Sequence, residues 1–221
     1  MAGTDEEIGM QESLPLIGGI ALGAAIGAAM TFLVRIVSGL LLKQRGFAPE
    51  MEKKHFWMLF ALLVLFGGVI GWQAGISFRG LYFILLLFVS ACAFYIDAKH
   101  RVIPNELVLS ILILSAVFGF TGAIAFNIWQ SLLGLAACFI IFLVPSFFGK
   151  QVGAGDIKLA AAMGFALGLI GGLYAVAAMG ALVVIYVLLD RRMPLPEKLK
   201  TMIPMGPFLA LALVVMSILL V

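Results

Sequence analysis

The chain is poor in charge, in cysteine and in histidine, and each scarcity removes a class of protein. Only 11% of its 221 residues are Asp, Glu, Lys or Arg, whereas 64% are hydrophobic. That is too little polar surface to cover a water-soluble domain of this length. The two cysteines, Cys92 and Cys138, lie inside apolar segments with no further Cys or His at ligand spacing. They read as buried small hydrophobes, not as a disulfide framework or a zinc site, and no metal is expected. The two histidines, His55 and His100, fall at the ends of apolar segments, where an interfacial position explains them without a catalytic role. A net charge of +3 raises the question of nucleic acid, but the basic residues form no long run and sit between apolar segments. Membrane topology accounts for them, and no nucleic-acid partner is expected.

What is present is a succession of apolar runs. Crossing ~30 Å of hydrocarbon at 1.5 Å per residue takes about 20 residues of helix. Spans are expected at about 14–42, 56–76, 81–97, 106–125, 128–147, 157–168, 171–189 and 204–221. The fold class is therefore all-α, a polytopic helical membrane bundle of about eight hydrophobic segments. A β-barrel needs alternating apolar and polar residues, which these continuous runs lack. The start, MAGTDEEIGMQES, is acidic and has no positive stretch of the kind that precedes a cleaved signal. The expectation is an extracytoplasmic tail over 1–13 and one integral membrane domain over 14–221, with a short charged loop at 43–55.

The stretch 157–189 is long for one span. Gly168, Gly171 and Gly172 suggest a break into a tight hairpin. With that break, Lys43, Arg45, Lys53, Lys54, Lys99, Arg101, Lys150, Lys158, Arg191, Arg192, Lys198 and Lys200 share one side of the membrane, and Arg79 lies opposite. The basic side is expected to be cytoplasmic. Arg35 snorkels to the same interface. Gly19, Gly23 and Gly27 recur every fourth residue and line one helix face, where a neighbouring backbone can approach closely. An internal helix and a second copy of the chain, hence a homo-oligomer, are equally open as partners.

Acidic residues near the apolar segments are few: Asp97, Glu106 and Asp156. An ionisable group at that depth is a functional candidate. Asp97 ends its span in YIDAKHRVIPN, and Asp156 follows two glycines in VGAGDIKLAAAMG. The topology puts both at one membrane face. Two carboxyls close enough to share a proton titrate in separate steps, so one can activate water as a base while the other protonates a carbonyl. Gly153 and Gly155 leave room for an extended peptide backbone beside Asp156. A plainer account stands beside this one: Asp156 as the cap of a helix starting near Ile157, and Asp97 paired with Arg101 one turn later.

The strings YIDAKHRVIPN, VGAGDIKLAAAMGFALG and IPMGPFLALAL, in this order, resemble the three most recognisable segments of the type IV prepilin peptidases, membrane proteases of the GxGD aspartic class. The resemblance runs from about Leu81 to the end of the chain. It implies Asp97 and Asp156 as the catalytic pair, the first lying seven residues before Pro104 and its neighbour Asn105. The second lies in Gly153-Ala154-Gly155-Asp156, followed by Lys158. Pro204, Gly206 and Pro207 match the start of the family's final helix, as an unwound gate for substrate or simply a helix start. Lys158 could bias the pair, bind lipid phosphate or be an interfacial lysine.

The resemblance further implies cleavage of the basic leader of prepilin or pseudopilin precursors in the cytoplasmic (inner) membrane, at its cytoplasmic face. It implies partners in the precursor and the bilayer, and no cofactor for proteolysis. Many bacterial members carry two Cys-x-x-Cys pairs after the first helix, associated with zinc and N-methylation. The loop 43–55 has neither, so methyltransferase activity is not expected. Two rival readings are a small ion- or proton-coupled transporter, in which paired carboxylates bind cations, and a catalytically silent assembly protein of the same fold. The chain lacks two similar halves, and its acids gather at one face. Both observations count against the transporter, and the presence of both aspartates counts against the silent protein.

Overall fold

A computed structural model describes residues 3–75, 77–147, 152–189 and 205–220. Seven helices follow one another among them: α1 (Gly3–Gln44), α2 (Lys53–Ala74), α3 (Phe78–His100), α4 (Asn105–Phe120), α5 (Ile128–Phe147), α6 (Ala154–Leu189) and α7 (Gly206–Leu219). Five contain stretches long and apolar enough to cross a membrane, so the chain is a helical integral membrane protein. Large apolar side chains such as Leu33, Ile36, Leu40, Trp57 and Leu65 face outward. Water would not tolerate so much exposed apolar surface, but hydrocarbon suits it.

Local chemistry sets several boundaries. Ser77 caps α3: its Oγ accepts from the Gly80 amide at 3.0 Å and donates to the Ala74 carbonyl at 2.7 Å. Asn127 caps α5 by accepting from the Trp129 and Gln130 amides at 3.0 and 3.3 Å. Helix α4 stops at Phe120 instead of reaching 125, because Thr121 leads into Gly122 at φ 75°. Helix α1 already begins at Gly3, so helical backbone covers most of the acidic stretch expected as a tail.

The chain divides into two compact units, 1–91 and 92–221, with the boundary inside α3. In the first unit, α1 packs on α2 through the glycine face seen in the sequence. A Cβ on Gly19 would lie 2.6 Å from the Gly71 carbonyl oxygen; on Gly23 or Gly27 it would strike the carbonyls of Gly67 or Leu63. Gly67 and Gly71 answer from α2, where a Cβ would strike the carbonyls of Gly23 and Gly19. The partner of the glycine face is thus internal. Lipid tails are as apolar as leucine, so such helices are held by close van der Waals contact more than by expulsion of water.

In the second unit the expected break in α6 is present. Gly168 has φ 71° and ψ −177°, outside helical geometry. A straight helix of 36 residues would run about 54 Å, far beyond one membrane crossing. The bend brings a Cβ built on Gly172 to 3.0 Å from the Gly164 Cα, whereas eight residues of straight helix would separate them by about 12 Å. Gly134 of α5 faces Gly164 and Gly168, and the Cys138 thiol lies against both Gly164 and Gly172. Cys138 is fully buried, as is Cys92. Leu159 and Met163 of α6 and Leu209 and Leu213 of α7 are also buried in this unit.

Candidate active site

The functional candidates described here lie in the second unit, at the ends of α3, α4, α6 and α7. Helix α3 runs one turn past Asp97 and closes with the Arg101 amide donating to the Asp97 carbonyl at 2.9 Å. Arg101 itself stands at φ 55°, a left-handed conformation that usually falls to glycine after a helix. Pro104, buried, then starts α4 with φ −61°. Its ring fixes that angle and its missing N–H would have had no helical partner anyway. Asn105 and Glu106 are exposed in the first turn of α4.

Asp97 is 4% exposed. The backbone amide of Gly206, first residue of α7, donates to its carboxyl. The fit leaves no room for a side chain: a Cβ on Gly206 would lie 2.5 Å from Asp97 Oδ2 and 2.6 Å from Cγ. Pro207 follows, buried, in the first turn of α7. Pro204 lies outside the described residues. Phe208 meets Tyr186 of α6 edge-on, with ring centroids 5.5 Å apart. That contact joins the start of α7 to α6, and no motif announced it.

Asp156 sits half-buried in the first turn of α6. The helix begins at Ala154, three residues earlier than expected, so Asp156 is the third helical residue and not the cap. Gly153 precedes the helix, and its carbonyl accepts from the Ile157 amide at 3.2 Å. The Asp156 carboxyl turns back over Gly153, where a Cβ would come within 2.9 Å of Oδ2. Asp97 and Asp156 are near enough that the charge of one acts on the other. Arg101, exposed, also acts on Asp97. Among the described residues, Oδ2 of Asp97 and Oδ1 of Asp156 are shielded and accept no hydrogen bond. Buried polar atoms are ordinarily satisfied, so each carboxyl keeps one acceptor oxygen without a protein partner among the described residues.

Two contacts tie the α3–α4 connection to α6. Gly155 lies under Ile103, with its absent Cβ 3.0 Å from the Ile103 Cβ. Lys158 Nζ donates to Asn105 Oδ1 at 3.1 Å. The candidates therefore fall into two pairings, Asp97 with Gly206 and Lys158 with Asn105, with Asp156 and its two glycines between them in the sequence of contacts. Ile103 was not singled out by the sequence. Its position directly before Pro104, where backbone freedom is restricted, was the available signal.

Residues 81–188 match the model of the type IV leader peptidase family. A prepilin leader peptidase/N-methyltransferase of Stutzerimonas stutzeri is 27% identical over 165 residues, which cover 72% of this chain and 50% of that protein. The chain thus spans about half the length of the curated relative it matches. No solved structure matches.

Proposed function

The chain belongs, through residues 81–188, to the type IV leader peptidase family, and from that premise we propose that it is a membrane aspartic endopeptidase with Asp97 and Asp156 as its catalytic pair. Its substrates are prepilin-like precursors, cut behind a basic leader. The observation that carries this reading is the pair itself: two carboxyls near enough that the charge of Asp97 acts on Asp156, each with one shielded oxygen that accepts no hydrogen bond among the described residues.

In the reaction, one carboxylate takes a proton from water as the water oxygen attacks the scissile carbonyl carbon. The protonated partner gives its proton to the carbonyl oxygen. Collapse of the tetrahedral intermediate breaks the C–N bond, and the amine leaves with a proton from the pair. The amide of Gly206 holds Asp97 in orientation, and the glycines beside Asp156 leave space for an extended backbone. The Lys and Arg excess that the sequence carries on this side supports a site at the cytoplasmic face of the inner membrane. The loop 43–55 carries no cysteine, and the reading includes no methyl transfer and no cofactor for proteolysis.

The test is cleavage of a precursor with a basic leader by the protein in phospholipid vesicles. Asp97→Asn and Asp156→Asn should each lower the rate at least about 10³-fold while the protein stays folded. Cleavage retained in either folded variant overturns the paired-aspartate mechanism.

A further inference from the structure

The segment after Asp97 has little freedom. Helix α3 continues to His100, Arg101 stands in the left-handed region, and Pro104 leads directly into α4. A tether at the start of α4 therefore acts on Asp97 through a short, stiff path. On the other side, Lys158 lies two residues beyond Asp156 in the same helix, half a turn away. The bond from Lys158 Nζ to Asn105 Oδ1, 3.1 Å long, joins residues 53 apart in sequence. Ile103 over Gly155 supplies a second tie one residue before Asp156, with 3.0 Å between the Ile103 Cβ and the position of the absent one.

Both side chains of the polar tie are exposed, and exposed polar pairs add little to global stability. The effect of this one is on geometry. A carboxyl pair works only while the reacting atoms are aligned, and a misplacement of about 1 Å can lower a rate about 10²-fold. We propose that Lys158 and Asn105 are a positioning pair that holds Asp156 in register with Asp97. Neither touches substrate; each acts through the helix that carries an aspartate or the segment that follows one. This inference rests on the reading of Asp97 and Asp156 as the catalytic pair.

A double-mutant cycle on the full chain in vesicles tests it, with wild-type cleavage of the precursor measured first. No cleavage by the wild type, with the protein folded, defeats the peptidase reading itself. Given wild-type cleavage, Lys158→Met and Asn105→Leu should each lower kcat about tenfold with KM within about twofold. The double variant should be no slower than the slower single one. Lys158→Arg and Asn105→Asp, which keep a donor and an acceptor, should stay within about threefold of wild type. Losses that multiply in the double variant, or that appear in KM alone, overturn the pairing, as does an Asn105→Asp variant as slow as Asn105→Leu. A Lys158→Met loss present in vesicles with anionic phospholipid and absent in neutral ones assigns the lysine to lipid headgroups instead, and the proposal fails.

Discussion

The α1–α2 packing and the Asp97–Asp156 site both depend on glycines set where a methyl group would strike something, but the neighbours differ. On α1 and α2, Gly19, Gly23, Gly67 and Gly71 face backbone carbonyls of the opposing helix. Backbone cannot move aside without moving the helix, so these glycines set the distance between two elements. At the site, Gly206 and Gly153 face the carboxyl groups of Asp97 and Asp156. A carboxyl can rotate away, and the element carrying it stays where it is. Glycine loss in the first place should therefore cost stability, and in the second activity.

The largest effect after removal of the aspartates themselves is expected at Gly206. Its Cβ would occupy the space of Asp97 Oδ2 and Cγ, at 2.5 and 2.6 Å, and turn the carboxyl away from the Gly206 amide. Gly206→Ala should lower kcat about 10²-fold, the scale of an ångström-sized displacement of a reacting group. Thermal unfolding of the variant should match the wild type. A variant that instead fails to fold would put Gly206 among the packing glycines and erase the contrast.

The converse change is Gly67→Val. Its side chain would be driven into the Gly23 carbonyl and the Gly27 Cα of α1, and overpacking of this kind costs about 1–3 kcal/mol. The midpoint of unfolding should drop while kcat per folded molecule holds. If folded Gly67→Val protein cleaves poorly, glycine spacing in the first unit also governs the chemistry, and the division of labour fails.

How much of this was readable beforehand follows from the range of each interaction. The break at Gly168 was legible because a glycine cluster inside an overlong apolar run is a local signal, and φ 71° is a conformation that glycine adopts without strain. The aspartates stood out as rare acids beside apolar segments. The glycine face of α1 was legible as a face, but not its partner, because the sequence does not say which helix lies opposite. The Lys158–Asn105 and Tyr186–Phe208 contacts were not legible at all: each depends on how helices distant in sequence are arranged. Helix ends moved by several residues for a related reason. Leucine- and alanine-rich sequence carries a helix onward until a left-handed residue such as Gly75 or Gly122 stops it.

Arg101 gives the smallest and sharpest test, because it stands where glycine would be the unstrained choice. Its amide closes the last turn of α3 onto the Asp97 carbonyl, and φ 55° puts its Cβ in the crowded left-handed region, which costs about 1 kcal/mol or more for a residue with a side chain. Arg101→Gly relieves that strain but loosens the unfolded chain by about 0.4–1 kcal/mol. The net should be a gain in stability under about 1 kcal/mol, read from denaturant midpoints. The same change removes a charge that acts on Asp97. Because the guanidinium is exposed, salt screens it. The rate should fall no more than about threefold at low ionic strength and converge with wild type as salt rises. Arg101→Lys should leave the rate unchanged and keep the strain. A stability gain without a salt-dependent rate loss would mean that the left-handed arginine serves only the turn. The two together would mean that a strained cation is held beside the aspartate pair, where the glycines of the site make room and this residue supplies charge.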